Sequence, residues 1–240
     1  MSVWRLRGGV ELSFPPPLAA GVVNVTADSF YEGARSVTPE RAIADGEALV
    51  EAGFDMLDVG AVAARSGPPV PPAEEAAKLA PAIEGLARLG VRVLADTFSP
   101  EVARAALDAG AAAINDISGG TREMFELVAE RGCGYVLMHI EGPPRVERDP
   151  PRYEDVVAHQ KRWFAERITA ATEAGVDERQ VAIDPGPDFD KGVDDDIALM
   201  RRLGELRELG RPVFAAISRK DFLGAIVAGS WEGRRGAAER

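Results

Sequence analysis

The stretch VRVLADTFSPEVARAALDAGAAAINDI, residues 91–117, holds one complete structural repeat. It opens on an apolar run, 91–96, without polar alternation, which reads as a strand buried on both faces. Ser99-Pro100-Glu101 then supplies an N-cap, a proline in the first helical turn and an acid near the positive end of the helix dipole. Gly110 closes the helix where a left-handed residue is least costly, and a second apolar run, 111–117, follows at once. Two strands joined this way run parallel, because parallel neighbours need a crossover helix.

Outward from this unit the same punctuation recurs. LAAGVVNV (18–25), DMLDVGA (55–61), YVLMHI (135–140), QVAIDPG (180–186) and PVFAAIS (212–218) read as further buried strands. Between them, Ala76, Leu79, Ile83 and Leu86, and Val157, Phe164, Ile168 and Ala171, recur at helical spacing. Gly53, Gly90, Gly132, Gly175 and Gly210 close helices, and Thr38-Pro39-Glu40 opens one as Ser99 does. The class is α/β with a parallel sheet, either doubly wound or a (β/α)8 barrel.

The polar residues decide between the two. Asn24, Asp58, Asp96, Asn115 with Asp116, His139, Asp184 and Ser218-Arg219-Lys220 each sit at the C-terminal end of an apolar run. A barrel gathers all strand ends at one mouth, whereas an open sheet places its site at one switch point. No Gly-x-Gly-x-x-Gly or Walker sequence follows the first strand. A TIM-type (β/α)8 barrel is therefore expected, as a single domain over 1–240. WRLRGGVELSF (4–14) reads as a β-hairpin turning at Gly8-Gly9 and covering one barrel end, and the proline-rich EGPPRVERDPPR (141–152) as a rim loop.

Composition agrees and excludes much. The chain has 240 residues, 46% hydrophobic and 28% charged, near the ~250 residues typical of such a barrel. A net charge of −11 argues against broad binding to nucleic acid or to an anionic membrane. Cys133 is the single cysteine, which excludes a disulfide framework and points to a reducing cytoplasm. The N-terminal stretch has no signal-peptide core, and no apolar run approaches the ~18 residues of a membrane span. The only histidines are His139 and His159, which removes most histidine-rich metal chemistry.

Asp96, Asn115 and Asp184 end three strands. Buried carboxylates are costly unless paired, so an amidine-like or guanidine-like ring edge is the expected ligand; the alternative is that each acid binds its own loop's N–H groups. Of four lysines, Lys191 and Lys220 lie in strand-end loops, where an ammonium can hold an anion or a ring carbonyl. A solvated surface role is equally open for Lys191. Arg65, the one charge in AVAARSGPP (61–69), is an anion-binding candidate or an exposed arginine.

NVTADSF (24–30), DTF (96–98), NDISGG (115–120), MHIEGPP (138–144), DPGPDFDK (184–191) and SRKDFLG (218–224) resemble, in order and spacing, the motifs of the dihydropteroate synthase family. The resemblance covers about residues 19–225. It implies a TIM barrel that joins p-aminobenzoate to 6-hydroxymethyl-dihydropterin pyrophosphate in folate biosynthesis, releasing pyrophosphate. It assigns Asp96, Asn115, Asp184 and Lys220 to the pterin, Asn24 to magnesium (Mg²⁺) and pyrophosphate, and Arg65 to the departing pyrophosphate. Phe189 and Ser218, with Lys220, would line the p-aminobenzoate site, while Asp28, Phe30 and Glu32 would close a first loop over the ligands.

This sequence departs from the family pattern in its second loop. There DVGAVAARSG (58–67) puts Val62, Ala63 and Ala64 at the family's Glu, Ser and Thr positions. Ala27 replaces a proline, and Asp188 and Asp190 add charge beside an anionic substrate. The family's closing strand with its Arg-x-His pair has no counterpart, so the final βα unit reads as truncated and synthesis as weakened. Two alternatives stay open: a diverged paralogue that binds pterin or serves assembly, and a methyltetrahydrofolate-binding methyltransferase domain. Unpaired strand edges leave room for a homodimer.

Overall fold

The structure, a computed structural model, describes residues 2–25, 38–64, 67–146 and 148–229. It opens with an antiparallel hairpin, β1 (Ser2–Arg5) and β2 (Glu11–Phe14), turning through a short 3-10 segment in which Gly8 and Gly9 take φ of 78° and 76°. Strands β3 (Ala20–Asn24), β4 (Met56–Gly60), β5 (Arg92–Asp96), β6 (Ala113–Asp116), β7 (Gly134–Met138) and β8 (Val181–Asp184) then form one parallel sheet. Its spatial order is the sequence order, β3-β4-β5-β6-β7-β8. A doubly wound sheet reverses direction at a switch point, and this one never does. The singly wound order is that of a (β/α)8 barrel.

The crossovers are α1 (Pro39–Glu51), α2 (Pro72–Ala87), α3 (Pro100–Asp108), α4 (Arg122–Arg131) and α5 (Val156–Glu173). After β8 come α6 (Val193–Arg201), the single turn α7 (Leu203–Leu206) and α8 (Asp221–Ala228). The expected starts hold: Thr38 Oγ1 accepts from Arg41 N at 3.3 Å and Ser99 Oγ from Val102 N at 3.5 Å. All six helix-closing glycines have positive φ. Among the described residues no helix is long and apolar enough to cross a membrane.

Strand alternation sorts the side chains into two layers. Leu57, Val59, Val93, Ile114, Tyr135, Leu137 and Ile183 face the helices in the larger core. Met56, Leu94, Ala113, Val136 and Ala182 face inward and pack with Trp4 and Leu6, so the hairpin plugs the barrel floor. Trp4 Nε1 donates to Gln180 O at 2.8 Å. Two residues further along β4, β5, β6 and β8, the same inward parity brings Asp58, Asp96, Asn115 and Asp184 above this plug.

One expected strand is corrected. Residues 212–218 contribute a single bridge, Val213 to Ile183, held by Ile183 N to Pro212 O at 2.9 Å and Phe214 N to Ile183 O at 2.8 Å. Among the described residues it meets β8 alone, and at this one position only. Ile217 is 41% exposed, and Val22, inward-facing on the opposite edge strand, is 52% exposed.

Candidate active site

Sheet register builds the floor of the mouth. Asn24, Gly60, Asp96 and Asn115 are successive partners across four strands, and Asp184 pairs with Met138. A Cβ on Gly60 would lie 3.1 Å from Asp96 Oδ2, so the absent side chain makes room for that carboxylate. Asn115 Nδ2 donates to Asp58 Oδ2 at 3.0 Å. Asp58 Oδ1 and Asn115 Oδ1 are buried and accept no hydrogen bond from any described residue. Gly186 N donates to Asp184 Oδ1 at 2.8 Å, so part of this acid serves its own loop.

Burial sets the charge state of the floor. It pushes the Asp58 carboxyl up to about 7 and Asp184 to about 6, with Asp184 adding to the rise at Asp58 and Lys220 and Lys191 restraining it at Asp184. Asp96 is raised well above the ordinary range by burial, then by Asp58 and Glu75. In the unfolded chain these groups titrate near 3.8. Between that value and about 7 the folded state holds protons that the unfolded state has released, so their contribution to stability falls as pH rises. The ligand-free protein should melt lower at about pH 8 than at about pH 5.5, and Asp58→Asn should shrink the difference. Thermal unfolding across this range checks it; an unchanged difference in the variant would contradict the assignment.

Beside the acids rises an apolar wall. Phe189 packs with Ile117, Met138 and Ile140, against Phe98 and Ala64. Lys220 Nζ stands 4.5 Å from the centre of the Phe189 ring and lies within electrostatic reach of Asp96 and Asp184. An aromatic face, an ammonium and a carboxylate floor thus lie close together. Ser218, two residues before Lys220, is exposed.

Several expectations change on contact with the geometry. Lys191 is buried and donates to Phe189 O at 2.6 Å and Gly186 O at 2.9 Å, so it ties its own loop together. Asp188 accepts from the backbone N–H groups of Asp221 and Phe222 and caps α8, while Asp190 accepts from Glu141 N at 3.0 Å and Arg148 Nη1 at 2.9 Å. Both carboxylates are engaged by partners within the fold. Asp116 points away from the mouth toward the helices, accepting from Tyr135 Oη at 2.7 Å and Ser118 N at 2.7 Å. Arg65, Asp28, Phe30 and Glu32 lie outside the described residues.

The model of the pterin binding enzyme family matches residues 20–240. Dihydropteroate synthase of Mycobacterium leprae is 39% identical over 224 residues, covering 91% of this chain and 78% of that protein. The chain belongs to the dihydropteroate synthase family. It is a transferase of folate biosynthesis. The Xanthomonas albilineans dihydropteroate synthase structure with 4-aminobenzoic acid is 39% identical and superposes with a TM-score of 0.84, covering 99% of this chain and 86% of that one. The Burkholderia cenocepacia dihydropteroate synthase, complexed with 7,8-dihydropteroate, is 35% identical with a TM-score of 0.83 and covers 99% and 86%.

Within this dihydropteroate synthase relative, two site residues were not assigned a role from sequence. Asp58 reads as one more strand-end acid, and only parity shows that it shares the inward face with Asp96. Glu75, buried in α2, accepts from Thr97 Oγ1 at 2.8 Å and adds negative potential near Asp96. Its helical position carries no sequence signal for a site.

Proposed function

We propose that Asp96, Asn115, Asp184 and Lys220, joined by Asp58, hold the pterin ring of 6-hydroxymethyl-dihydropterin pyrophosphate while p-aminobenzoate approaches along Phe189 and Ser218. The observation that carries this reading is the pair of buried acceptors, Asp58 Oδ1 and Asn115 Oδ1, that take no donor from the described residues. A buried acceptor left unpaired costs about 1–3 kcal/mol. A flat ring edge bearing several N–H donors satisfies both at once and supplies the counter-dipole that the crowded carboxylates need. The apolar wall and Lys220 suit the aromatic amine and its carboxylate.

The reaction breaks the bond from the pterin methylene to the pyrophosphate oxygen and forms one from that methylene to the amine nitrogen, which gives up a proton. Pyrophosphate leaves with its charge met by cationic groups, the role we give Arg65. Lys220 near the ring carbonyl orients the pterin, and to Asp28 and Phe30 we give the role of shielding the substrates from water.

Magnesium fits this mouth. Asn24 offers a hard amide oxygen at the β3 end, in register with Gly60 and Asp96, and Mg²⁺ takes few protein oxygens alongside phosphate and water. Asn24 would hold the ion, which would neutralise charge on the leaving pyrophosphate. The buried lone Cys133 supports a reducing, cytoplasmic setting, and the hairpin plug supports one barrel domain over residues 1–240.

Pyrophosphate release with both substrates and Mg²⁺ tests the reading. We expect turnover, and Lys220→Ala should lower kcat/KM by roughly 10–100-fold, the worth of a charge-assisted hydrogen bond. Pterin binding without any product would favour the binding-protein alternative instead. No binding of pterin at all would sink both.

A further inference from the structure

We propose that His139, Glu141 and His159 form a binding site for a zinc-class divalent transition-metal ion, separate from the pterin floor. The chain has only two histidines, and the fold brings them together from the end of β7 and the first turns of α5. Their rings meet edge-to-face, with centroids 5.6 Å apart at 88°. Glu141 stands between them, its Oε1 2.6 Å from His159 Nε2 and 3.2 Å from His139 Nε2. One ligand atom from each residue falls within 4.8 Å of the others. Ligands on a tetrahedral zinc, with bonds of about 2.0–2.1 Å, lie roughly 3.3 Å apart, so small side-chain adjustments suffice.

The 2.6 Å hydrogen bond between Glu141 and His159 satisfies those two residues, whereas a longer, poorly aligned contact with Glu141 is all that His139 has. Its side chain is fully buried, walled by Trp163 and Phe164, and neither ring nitrogen has an aligned hydrogen-bond partner among the described residues. A buried imidazole with Nδ1 unpaired among the described residues and Nε2 meeting Glu141 only at 3.2 Å and out of line is poorly satisfied in an apolar wall, and a metal bond at Nε2 would improve on that contact. Two imidazoles and one carboxylate select zinc, cobalt(II) or nickel(II) over magnesium, which favours oxygen. A cleft of about 480 Å³, lined by Glu141, Tyr153, His159 and Arg162, opens on the cluster and leaves room for a water as fourth ligand.

The site's place in the fold gives it a structural task. Met138 points into the mouth with Phe189, whereas the next residue, His139, points out to α5. An ion here would clamp the rim loop after β7 onto α5. That loop also meets Asp190 through Glu141 N.

The test uses the whole chain, stripped with a chelator and titrated with zinc chloride by calorimetry, with cobalt(II) absorption as a second readout. We expect one ion per chain and the visible bands of four-coordinate cobalt. His159→Gln and Glu141→Gln, both at partly exposed positions, should each weaken zinc binding at least about 30-fold. At zinc 100-fold above its Kd the wild-type Tm should rise roughly 5–10 °C, and the rise should vanish in His159→Gln. Equal zinc affinity in wild type and His159→Gln, or no saturable binding in the wild type, would overturn the proposal. Pterin binding should be the same in His159→Gln, so failure of the metal site is distinguishable from failure of the pterin floor.

Discussion

Asp184→Asn should lower affinity for a reduced 6-hydroxymethyl-pterin by two to three orders of magnitude while leaving the fold intact. The amide oxygen can still accept from Gly186 N, which Asp184 Oδ1 holds at 2.8 Å, so the turn after β8 survives. What changes is the other half of the group. A carboxylate oxygen aimed at a donor-rich ring edge becomes an NH2, which sets donor against donor and removes a buried charge-assisted bond, a loss of about 3–4 kcal/mol. Calorimetry on wild type and variant measures it, and a loss under threefold would mean that the ring does not meet Asp184. The wild-type titration should also depend on buffer. With Asp184 near 6 and Asp58 near 7 in the empty site, ring N–H groups favour the ionised forms, so binding at about pH 6 should release protons. Heat that is identical in buffers of different ionisation enthalpy would contradict this.

Trp4→Ala should be the most damaging single change to stability away from the mouth, costing about 3–5 kcal/mol as for other buried tryptophans. Trp4 is only 2% exposed and fills the barrel floor beneath Met56, Leu94 and Ala113. Its removal opens a cavity and strands Gln180 O, the acceptor of its indole N–H. The fit is tight on both sides: a Cβ on Gly134 would come within 2.6 Å of Leu6 and 3.2 Å of Trp4. Thermal unfolding of the ligand-free variant should show Tm lowered by roughly 10 °C. Because the floor sits below the acids, pterin affinity measured well below that Tm should change far less than in Asp184→Asn. A Tm within about 2 °C of wild type would show that the hairpin is an ornament and not a plug.

Local signals in the sequence were legible wherever one residue type answers one backbone demand. Thr38 and Ser99 cap the helices they precede, and the glycines after each helix adopt the left-handed conformation their position requires. Six of the seven apolar runs became ladder strands, each paired with a neighbour over several consecutive residues. The seventh, 212–218, was legible as an apolar run but not as a bridge, since strand length depends on neighbours that composition does not reveal. In the site, Asp96, Asn115 and Asp184 share the inward face as their strand-end positions indicated. Asp58 and Asp116 exchange significance, because one residue of register moves a side chain to the other face of the sheet. From their loop alone Lys191 looked like a ligand group, and Asp188 and Asp190 like negative charge set beside an anionic substrate. Their partners, backbone groups in the same loop, at the start of α8 and in the rim loop, appear only in three dimensions. The His139–His159 meeting was invisible for the same reason: a twenty-residue separation spanning a proline-rich loop carries no contact signal.

The hairpin has a further consequence in time. Trp4 waits for Gln180, and Arg5 for Asp177, partners 176 and 172 positions later in the chain. During synthesis the tryptophan and Leu6 therefore emerge well before these partners and wait for them while most of the barrel is made. Closing a loop of this length contributes little to the final balance but slows folding, and exposed apolar segments invite association in the interval. The residues that seal the barrel from below are thus among the last to reach all their native partners.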